Sequence, residues 1–220
     1  MARASDVAYD TIKRWIQSSS VPPGSLIDED DAAGRLTMSR TPIREALLRL
    51  QSEGFVEIGR GKGIRVLPLS ASDMRDIYQV ISGLEVAAVS LLAAQRPSRE
   101  ALADLDAATQ AMERALAAGE IDAWGEADER FHRELIRLPG NPKLHAIGCQ
   151  MRDFAYRAHM VALRLQDPAY RRRSTANHGA LVDAILTATP EQAANHHRKQ
   201  RQRGEEALVG IIERFGIVNL

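Results

Sequence analysis

The segment that begins at residue 39 constrains the fold most strongly, because it contains the clearest helix start in the sequence. In Ser39-Arg40-Thr41-Pro42, Thr41 is a candidate N-cap, and Pro42 suits the first helical turn, where a missing N–H costs little. Apolar residues follow at the i, i+3, i+4, i+7 spacing of a helix that packs on a core: Ile43, Ala46, Leu47 and Leu50. The pattern predicts a helix that ends at Gly54.

A β-hairpin is predicted directly after this helix. Phe55-Val56-Glu57-Ile58 and Ile64-Arg65-Val66-Leu67 have the composition of two short strands. Between them, Gly59-Arg60-Gly61-Lys62-Gly63 is so rich in glycine that it is predicted to form a turn. The tip of the hairpin therefore carries two basic side chains.

Two further helices are predicted before residue 39. Residues 7–18 have helical periodicity, with Asp6 as a candidate N-cap, and a proline pair follows at Pro22-Pro23. A second helix is predicted from about residue 28 to residue 36, although Gly34 weakens its pattern. Three helices and a hairpin, in this order, are the elements of a winged helix-turn-helix, which we assign to residues 1–69.

The rest of the chain is predicted to be helical, after a domain boundary at residues 68–72. Helical patterns cover residues 73–95, 98–118, 121–137, 142–165, 171–188 and 190–215. Aromatic residues make up only 5% of the chain, whereas alanine and leucine are abundant, which favours helices over a β-sandwich. The predicted fold class is mainly α: the winged domain with three helices and a two-stranded wing, followed by an all-helical domain of about six helices at residues 70–220.

The composition excludes several classes of protein. Cys149 is the only cysteine, so an intrachain disulfide and a cysteine-based zinc site are excluded. The first ten residues lack the apolar segment of a signal peptide, and no uninterrupted run of about 18 apolar residues indicates a membrane span. We therefore expect a cytoplasmic protein with no membrane partner.

Basic residues are concentrated in the winged segment, although the formal net charge of the chain is +0. Between Arg35 and Arg65 there are seven basic residues and three acidic ones. In a winged helix-turn-helix, the third helix presents its N-terminal residues to base edges in the major groove, and the wing contacts phosphates or the minor groove. The local charge therefore predicts a surface for double-stranded DNA.

The candidate DNA contacts have suitable chemistry. Arg40 and Arg44 can bind guanine bidentately or bind a phosphate, and Ser39 and Thr41 can donate to phosphates at a helix N-terminus. Further basic candidates are Arg49, Arg60 and Lys62. Arg49 could instead pair with Glu45, four residues earlier. Each of these residues alone could be a solvated side chain on an ordinary helix or surface hairpin. That alternative does not readily explain why a capped helix with arginines is followed directly by a hairpin with a basic tip.

Several motifs in residues 7–67 resemble the GntR family of bacterial regulators. They are Pro23-Gly24, Ile27-Asp28-Glu29, Met38-Ser39-Arg40-Thr41-Pro42-Ile43-Arg44-Glu45-Ala46-Leu47, Leu50, Glu53-Gly54-Phe55-Val56 and the glycine-rich wing. The resemblance implies that operator DNA is contacted by Ser39, Arg40, Thr41, Arg44 and Gly61. The chain departs from the family at Ala32-Ala33, where Leu-Ala is usual, and at Asp30, where a basic residue often grips phosphate.

The helical domain contains a candidate metal site. Asp128 and His132 are four residues apart and share a helix face, while His178 lies on a later helix. The last helix offers His196, His197 and Gln200. Imidazole with carboxylate suits Zn, Ni, Mn or Fe(II). The alternatives are a surface salt bridge for the Asp–His pair and a solvated polar face for the histidine pair on the last helix.

Two strings in this domain resemble the FCD-type effector domain of the FadR subfamily. They are Ala127-Asp128-Glu129-Arg130-Phe131-His132-Arg133-Glu134-Leu135, followed by Gly140-Asn141-Pro142, and His178-Gly179-Ala180-Leu181-Val182-Asp183-Ala184-Ile185. The resemblance implies an antiparallel helical bundle that often holds a metal on one Asp and three His.

Asp128, His132 and His178 match three of those ligand positions. The fourth position holds Gln200, for which His196 could substitute from one turn earlier. Ile81 stands where the family often has an arginine that binds a carboxylate effector. Arg152 or Arg157 could supply the positive charge instead, but we expect both to be exposed. We expect His145 and His159 to lie on the surface.

The sequence therefore predicts a homodimeric DNA-binding repressor, not an enzyme. A small-molecule effector would bind in the helical domain, with a divalent metal as a possible cofactor, and the operator would be nearly palindromic. One alternative is a regulator for which the metal itself is the signal. Another is a metal-dependent enzyme with a helical core, which would leave the winged segment without a role. The operator, the effector and the direction of its effect are left open.

Overall fold

The computed structural model describes residues 3–59 and 63–215. The chain divides into two compact units between Ser70 and Ala71. The three predicted DNA contacts in the wing lie outside the described residues: Arg60, Gly61 and Lys62.

The first unit contains three helices and a small antiparallel sheet. The helices are α1 (Ala4–Gln17), α2 (Glu29–Leu36) and α3 (Arg40–Ser52), and the strands are β1 (Leu26–Ile27), β2 (Val56–Gly59) and β3 (Gly63–Val66). The strand order is β1-β3-β2, with Ile58 opposite Ile64 and Ile27 also opposite Ile64. The sheet therefore has three strands rather than the two predicted, because two-residue β1 is too short to produce a recognisable alternation.

The helix starts differ from the predicted caps. Helix α1 begins at Ala4, so Asp6 lies inside its first turn and accepts from Arg3 Nε at 3.1 Å. Ser39 occupies the N-cap position of α3, and Thr41 is already helical. In both cases the chain enters the helix two or more residues earlier than predicted. The apolar stripe of α3 is buried as expected, with Ile43, Leu47 and Leu50 each 0% exposed.

The second unit is an all-helical bundle. Its α-helices in the described part of the chain are α4 (Ala71–Ala94), α5 (Ala103–Ala118), α6 (Ile121–Arg137), α7 (Pro142–Leu165), α8 (Pro168–Thr187) and α9 (Pro190–Arg214). A short 3-10 turn at Glu100–Leu102 precedes α5. The sequence patterns predicted these helices closely. The largest difference is at α5, which begins five residues after its predicted start because residues 100–102 form the 3-10 turn. Helix α8 starts three residues early because Asp167 caps it through the backbone N–H of Ala169.

A core of aliphatic and aromatic side chains holds α5, α6 and α8 together. Trp124 and Phe131 of α6 are almost fully buried, and Trp124 Nε1 donates to Thr175 Oγ1 of α8 at 2.9 Å. Short connections join α5 to α6 and α6 to α7, and these pairs pack on each other, so neighbouring helices run antiparallel. This packing fixes the face of α6 that carries Asp128 and His132.

Helix α4 is long and apolar enough to cross a membrane by length and composition alone. It packs against α9 and α7, and buries both apolar residues and the carboxylate of Glu85. A core helix of a globular bundle has the same composition, so this property is weak support for a membrane span.

Candidate functional site

The first unit presents the N-terminal end of α3 to solvent. Ser39, Arg40, Thr41 and Arg44 are all exposed, whereas the opposite face of α3 packs on α1. The predicted contact residues in this helix are therefore accessible to a large partner.

Two of the candidate arginines have carboxylate partners. Arg40 of α3 contacts Asp30 of α2 through two atoms, Nε to Oδ1 at 2.5 Å and Nη2 to Oδ2 at 2.7 Å. Arg49 contacts Glu53 at 3.2 Å, and its guanidinium lies 3.6 Å from the centre of the Tyr9 ring. The possible pairing of Arg49 with Glu45 is wrong, since its carboxylate partners are Glu53 and Asp6.

The second unit brings together the three predicted metal ligands. Nε2 of His132 and Nε2 of His178 are 3.3 Å apart, and Nε2 of His178 lies 3.3 Å from Oδ1 of Asp128. Nε2 of His132 lies 3.9 Å from Oδ2 of Asp128. All three side chains are buried, so the alternative that Asp128 and His132 form a surface salt bridge is wrong.

The neighbours of the two histidines determine which ring nitrogens carry hydrogen. Nδ1 of His178 lies 2.6 Å from the carbonyl oxygen of Ser174, which can only accept. Nδ1 of His132 lies 3.0 Å from Oε2 of Glu85. Burial would raise the pKa of Glu85, but Arg201, His132 and His197 outweigh it and hold that pKa well below its usual range. The carboxylate is therefore ionised and also accepts, so both Nδ1 atoms are donors.

Both imidazoles are neutral, since burial lowers the pKa of His132 well below its usual range and that of His178 to about 4. Their Nε2 lone pairs therefore face each other and the carboxylate of Asp128. Burial also raises the pKa of Asp128, because the charged form is poorly solvated. Two imidazole lone pairs and a carboxylate that converge in this way repel one another unless a metal ion, or a proton on Asp128, lies among them.

The spacing of the three acceptors fits a metal ion. Ligand atoms about 2.0–2.2 Å from a tetrahedral zinc ion are about 3.3–3.6 Å from one another. The two Nε2 atoms are 3.3 Å apart, that of His178 is 3.3 Å from Oδ1 of Asp128, and that of His132 is 3.9 Å from Oδ2 of the same carboxylate. One ligand atom from each residue therefore lies within 4.8 Å of the other two. The donor set of one carboxylate and two imidazoles suits Zn, Ni, Mn or Fe(II). The residues present therefore fit a divalent metal.

The two candidates for the fourth ligand, His196 and Gln200, contact each other. Among the described residues, His196 is not part of the cluster in which ligand atoms lie within 4.8 Å of one another. Nε2 of His196 lies 2.7 Å from the amide nitrogen of Gln200, which also donates to the carbonyl of Asn177 at 2.8 Å. Gln200 lines the same cavity but is held by these contacts.

A buried ion cluster lies behind the site, and sequence reasoning missed it. Glu85 of α4 accepts from Arg152 Nη1 of α7 at 2.7 Å and lies 2.9 Å from Nε2 of His197. Arg152 also donates to Glu129 at 2.6 Å, and the ionised carboxylates raise its pKa despite burial. The expectation that Arg152 and Arg157 are exposed is wrong, since both are buried. The alternative that His197 lies on a solvated face is also wrong, because its side chain is buried and contacts Glu85 of α4.

His159 is a further residue that the sequence misplaced. It was expected on the surface, but its Nε2 lies 3.4 Å from Oδ2 of Asp128, and its Nδ1 lies 3.3 Å from the hydroxyl of Tyr78. The pattern of apolar residues in α7 did not predict the position of His159, because this helix has polar residues on several faces and buries arginines as well as alanines. Nε2 of His159 therefore lies beside Oδ2 of Asp128 without a hydrogen bond to it.

A cavity of about 610 Å³ opens beside the candidate metal ligands. Its walls contain both apolar and polar groups, and the polar side chains include Tyr78, Tyr170, Arg173, Arg201 and Arg203. Ile81, at the position of the usual family arginine, is instead buried in the core. Arg201 supplies a guanidinium from α9, 3.4 Å from Glu85, and its Nη2 has no hydrogen-bond partner among the described residues.

Comparison with protein families gives two matches. Residues 4–66 match the model described as "Bacterial regulatory proteins, gntR family", and residues 76–199 match the FCD domain. The candidate DNA contacts fall in the first match, and Asp128, His132 and His178 fall in the second.

Individual relatives agree with these matches. The chain is 44% identical over 131 residues to an HTH-type transcriptional regulator encoded in the TAR-I ttuE-ttuC' intergenic region of Agrobacterium vitis, covering 59% of this chain and 77% of the relative. It is 40% identical to the Nta operon transcriptional regulator of Aminobacter aminovorans, covering 56% of this chain and 57% of that protein. The structure of E. coli McbR/YncC has the same fold, with a TM-score of 0.81, 21% identity and coverage of 94% and 98% of the two chains.

Proposed function

This chain belongs to the GntR family of bacterial regulatory proteins and is a DNA-binding transcription regulator, and we propose that it is a homodimeric repressor controlled by a ligand of its FCD domain. The observation that carries the proposal is the combination of an exposed, arginine-bearing N-terminus of α3 with an arginine-lined cavity beside a convergent Asp–His–His cluster. The family supports a role as a transcription regulator rather than an enzyme, and we propose that the protein acts in the cytoplasm.

The winged unit supplies the DNA contacts in this proposal. Arg40 and Arg44 lie in the first two turns of α3, where their side chains can reach base edges in the major groove. Ser39 and Thr41, with the free backbone amides of the same helix end, suit phosphates. The partner is therefore double-stranded operator DNA, with one half-site for each protomer.

Binding of selected duplexes by the full chain and its Arg44→Ala variant tests this role. The probes are duplexes that the wild-type chain enriches from a random-sequence pool. Loss of one arginine that contacts a base should weaken binding by about 5- to 150-fold. The control is Arg114→Ala, which removes an exposed arginine of α5. Equal binding by wild type and Arg44→Ala would contradict the assignment.

The FCD unit would hold one divalent metal on Asp128, His132 and His178. When bound, the metal supplies a fixed positive charge that attracts an anionic or chelating ligand. Glu85 orients His132, the carbonyl of Ser174 orients His178, and His159 contacts the second oxygen of Asp128. Such outer partners fix the ring orientation of a ligand and commonly change metal affinity by about 10- to 100-fold.

The cavity favours a small polar effector with an anionic group. Arg173, Arg201 and Arg203 line it and supply positive charge. Effector binding would favour one of two arrangements of the protomers and thereby change operator affinity. A regulator that senses the metal itself would respond in a gel shift to metal or chelator alone, whereas this proposal requires an organic ligand.

Helix α4 supports the proposed homodimer. Val80 and Leu91 are 45% and 44% exposed on a helix that is otherwise largely apolar. Ile147 of α7 is also exposed, at 47%. Apolar side chains exposed along one helix are suited to a two-fold interface with a second copy. Analytical ultracentrifugation of the full chain measures this directly, and a monomer at micromolar concentration would contradict it.

A further inference from the structure

The ion pair between Asp30 and Arg40 joins the two helices of the helix-turn-helix. Asp30 lies in the first turn of α2, and Arg40 is the first residue of α3. Both oxygens of the carboxylate are used, at 2.5 Å and 2.7 Å from Nε and Nη2. The side chains are 61% and 72% exposed, so burial of apolar surface does not account for the arrangement.

The contact uses one edge of the guanidinium and leaves the other edge available. A guanidinium has five N–H groups in a planar fork, and Asp30 accepts from Nε and from Nη2. The opposite edge, formed by Nη1 and the outer hydrogen of Nη2, has no partner within the described ranges 3–59 and 63–215. That edge has the two parallel donors that match O6 and N7 of guanine.

The same carboxylate opposes a phosphate contact. Asp28, Glu29 and Asp30 lie around a small cavity next to Arg40, and each carries a negative charge. The carboxylate of Asp28 accepts from the backbone N–H groups of Asp30 and Asp31 and so stays at the start of α2. A phosphate that approached Arg40 from this side would meet these charges. The uncharged edge of a base would not be repelled in this way.

We propose that Asp30 is a specificity-determining residue, which holds Arg40 in the orientation that reads a guanine and keeps it from binding phosphate. The inference rests on the proposed contact between α3 and DNA. A carboxylate that orients a base-reading arginine reduces the number of rotamers that the arginine must lose on binding. It also lowers the affinity for DNA of any sequence, since one charge of the surface is neutralised.

The test compares Asp30→Asn with Asp31→Asn in the full chain. Both variants remove one negative charge from the first turn of α2, but Asp31 lies 3.8 Å from Arg35 and does not contact Arg40. The probes are a duplex enriched by the wild-type chain from a random-sequence pool, the same duplex with each guanine replaced in turn by adenine, and a random-sequence duplex. Affinities are measured by fluorescence anisotropy at several salt concentrations.

The proposal predicts different results for the two variants. Wild type and Asp31→Asn should discriminate against replacement of one guanine in each half-site by about 5- to 150-fold. Asp30→Asn should lose most of this discrimination and bind the random-sequence duplex more tightly. Arg40→Lys, which keeps the charge but cannot form the bidentate contact, should lose the same guanine preference.

Two results would overturn the inference while leaving the proposed function intact. The first is an Asp30→Asn variant with the guanine preference of wild type. The second is an equal increase in affinity for every duplex in Asp30→Asn and Asp31→Asn, which would mean that the effect comes from net charge alone. A wild-type chain that enriches no duplex from the pool would instead overturn the proposed function, and this inference with it.

Discussion

Nδ1 of His132 lies 3.0 Å from Oε2 of Glu85, and this contact directs Nε2 of the same ring towards Asp128 and His178. The two carboxylates therefore act on opposite nitrogens of one imidazole. Glu85 comes from α4 and Asp128 from α6, so the packing of these helices sets both the tautomer and the orientation of His132.

Glu85→Gln should strongly destabilise the FCD unit. The substitution leaves Arg201 without its carboxylate partner at 3.4 Å and removes one of the two carboxylates that contact Arg152. Breaking a buried ion pair from one side costs about 3–5 kcal/mol. For a domain of this size, the melting temperature should fall by roughly 6–20 °C. Thermal unfolding in the presence of a chelator measures the effect without a contribution from metal.

The matched control for this measurement is Glu113→Gln, at an exposed position of α5. The same change of charge at this site should alter stability by less than about 0.5 kcal/mol. Equal melting temperatures for the two variants would mean that the charge of Glu85 contributes little to stability.

Wild-type protein purified without chelator should contain about one divalent metal ion per chain, because three buried acceptors converge on one point. His178→Ala should contain almost none, since it removes the imidazole that lies 3.3 Å from both other ligands. Inductively coupled plasma mass spectrometry measures the content. His145→Ala, on the half-exposed face of α7, is the control and should match wild type.

A metal-free wild type that also fails to bind added Zn, Ni, Mn or Fe(II) would contradict the proposed site. Equal metal content in wild type and His178→Ala would place the metal elsewhere. The melting temperature of each variant separates a lost ligand from a lost fold.

Gln200→His should increase metal affinity. Gln200 lines the cavity beside the three ligands and lies at the position where the family resemblance implies a fourth ligand. An imidazole at this position would replace the amide contacts to His196 and Asn177 with a stronger metal donor. A competition titration with a chromophoric chelator measures the change in affinity.

Lys199→His provides the comparison for this substitution, because it adds an imidazole to the same helix at an exposed position. We expect no change in affinity for that variant. A Gln200→His protein with the affinity of wild type would show that the fourth position of this bundle lies too far from the other ligands.

Local patterns accounted for most of the helices. The apolar stripe of α3, and the prolines at the starts of α7, α8 and α9, placed the elements to within a few residues, because helix periodicity and helix starts depend on neighbours in sequence. Strand β1 was missed, because its two residues are held by pairing with β3 rather than by their own pattern.

The sequence by itself determined the family, the order of elements and three side chains that converge in the FCD unit, since these depend on motifs and on spacing within single helices. Only the tertiary structure decided what surrounds those side chains. Arg152, His159 and His197 lie on helices whose polar residues are not confined to one face, so periodicity alone could not say which are buried. Glu85 and Arg201 meet across the packing of α4 on α9, and Asp30 meets Arg40 across the turn between two helices. Such contacts are set by helix packing, which no local pattern encodes.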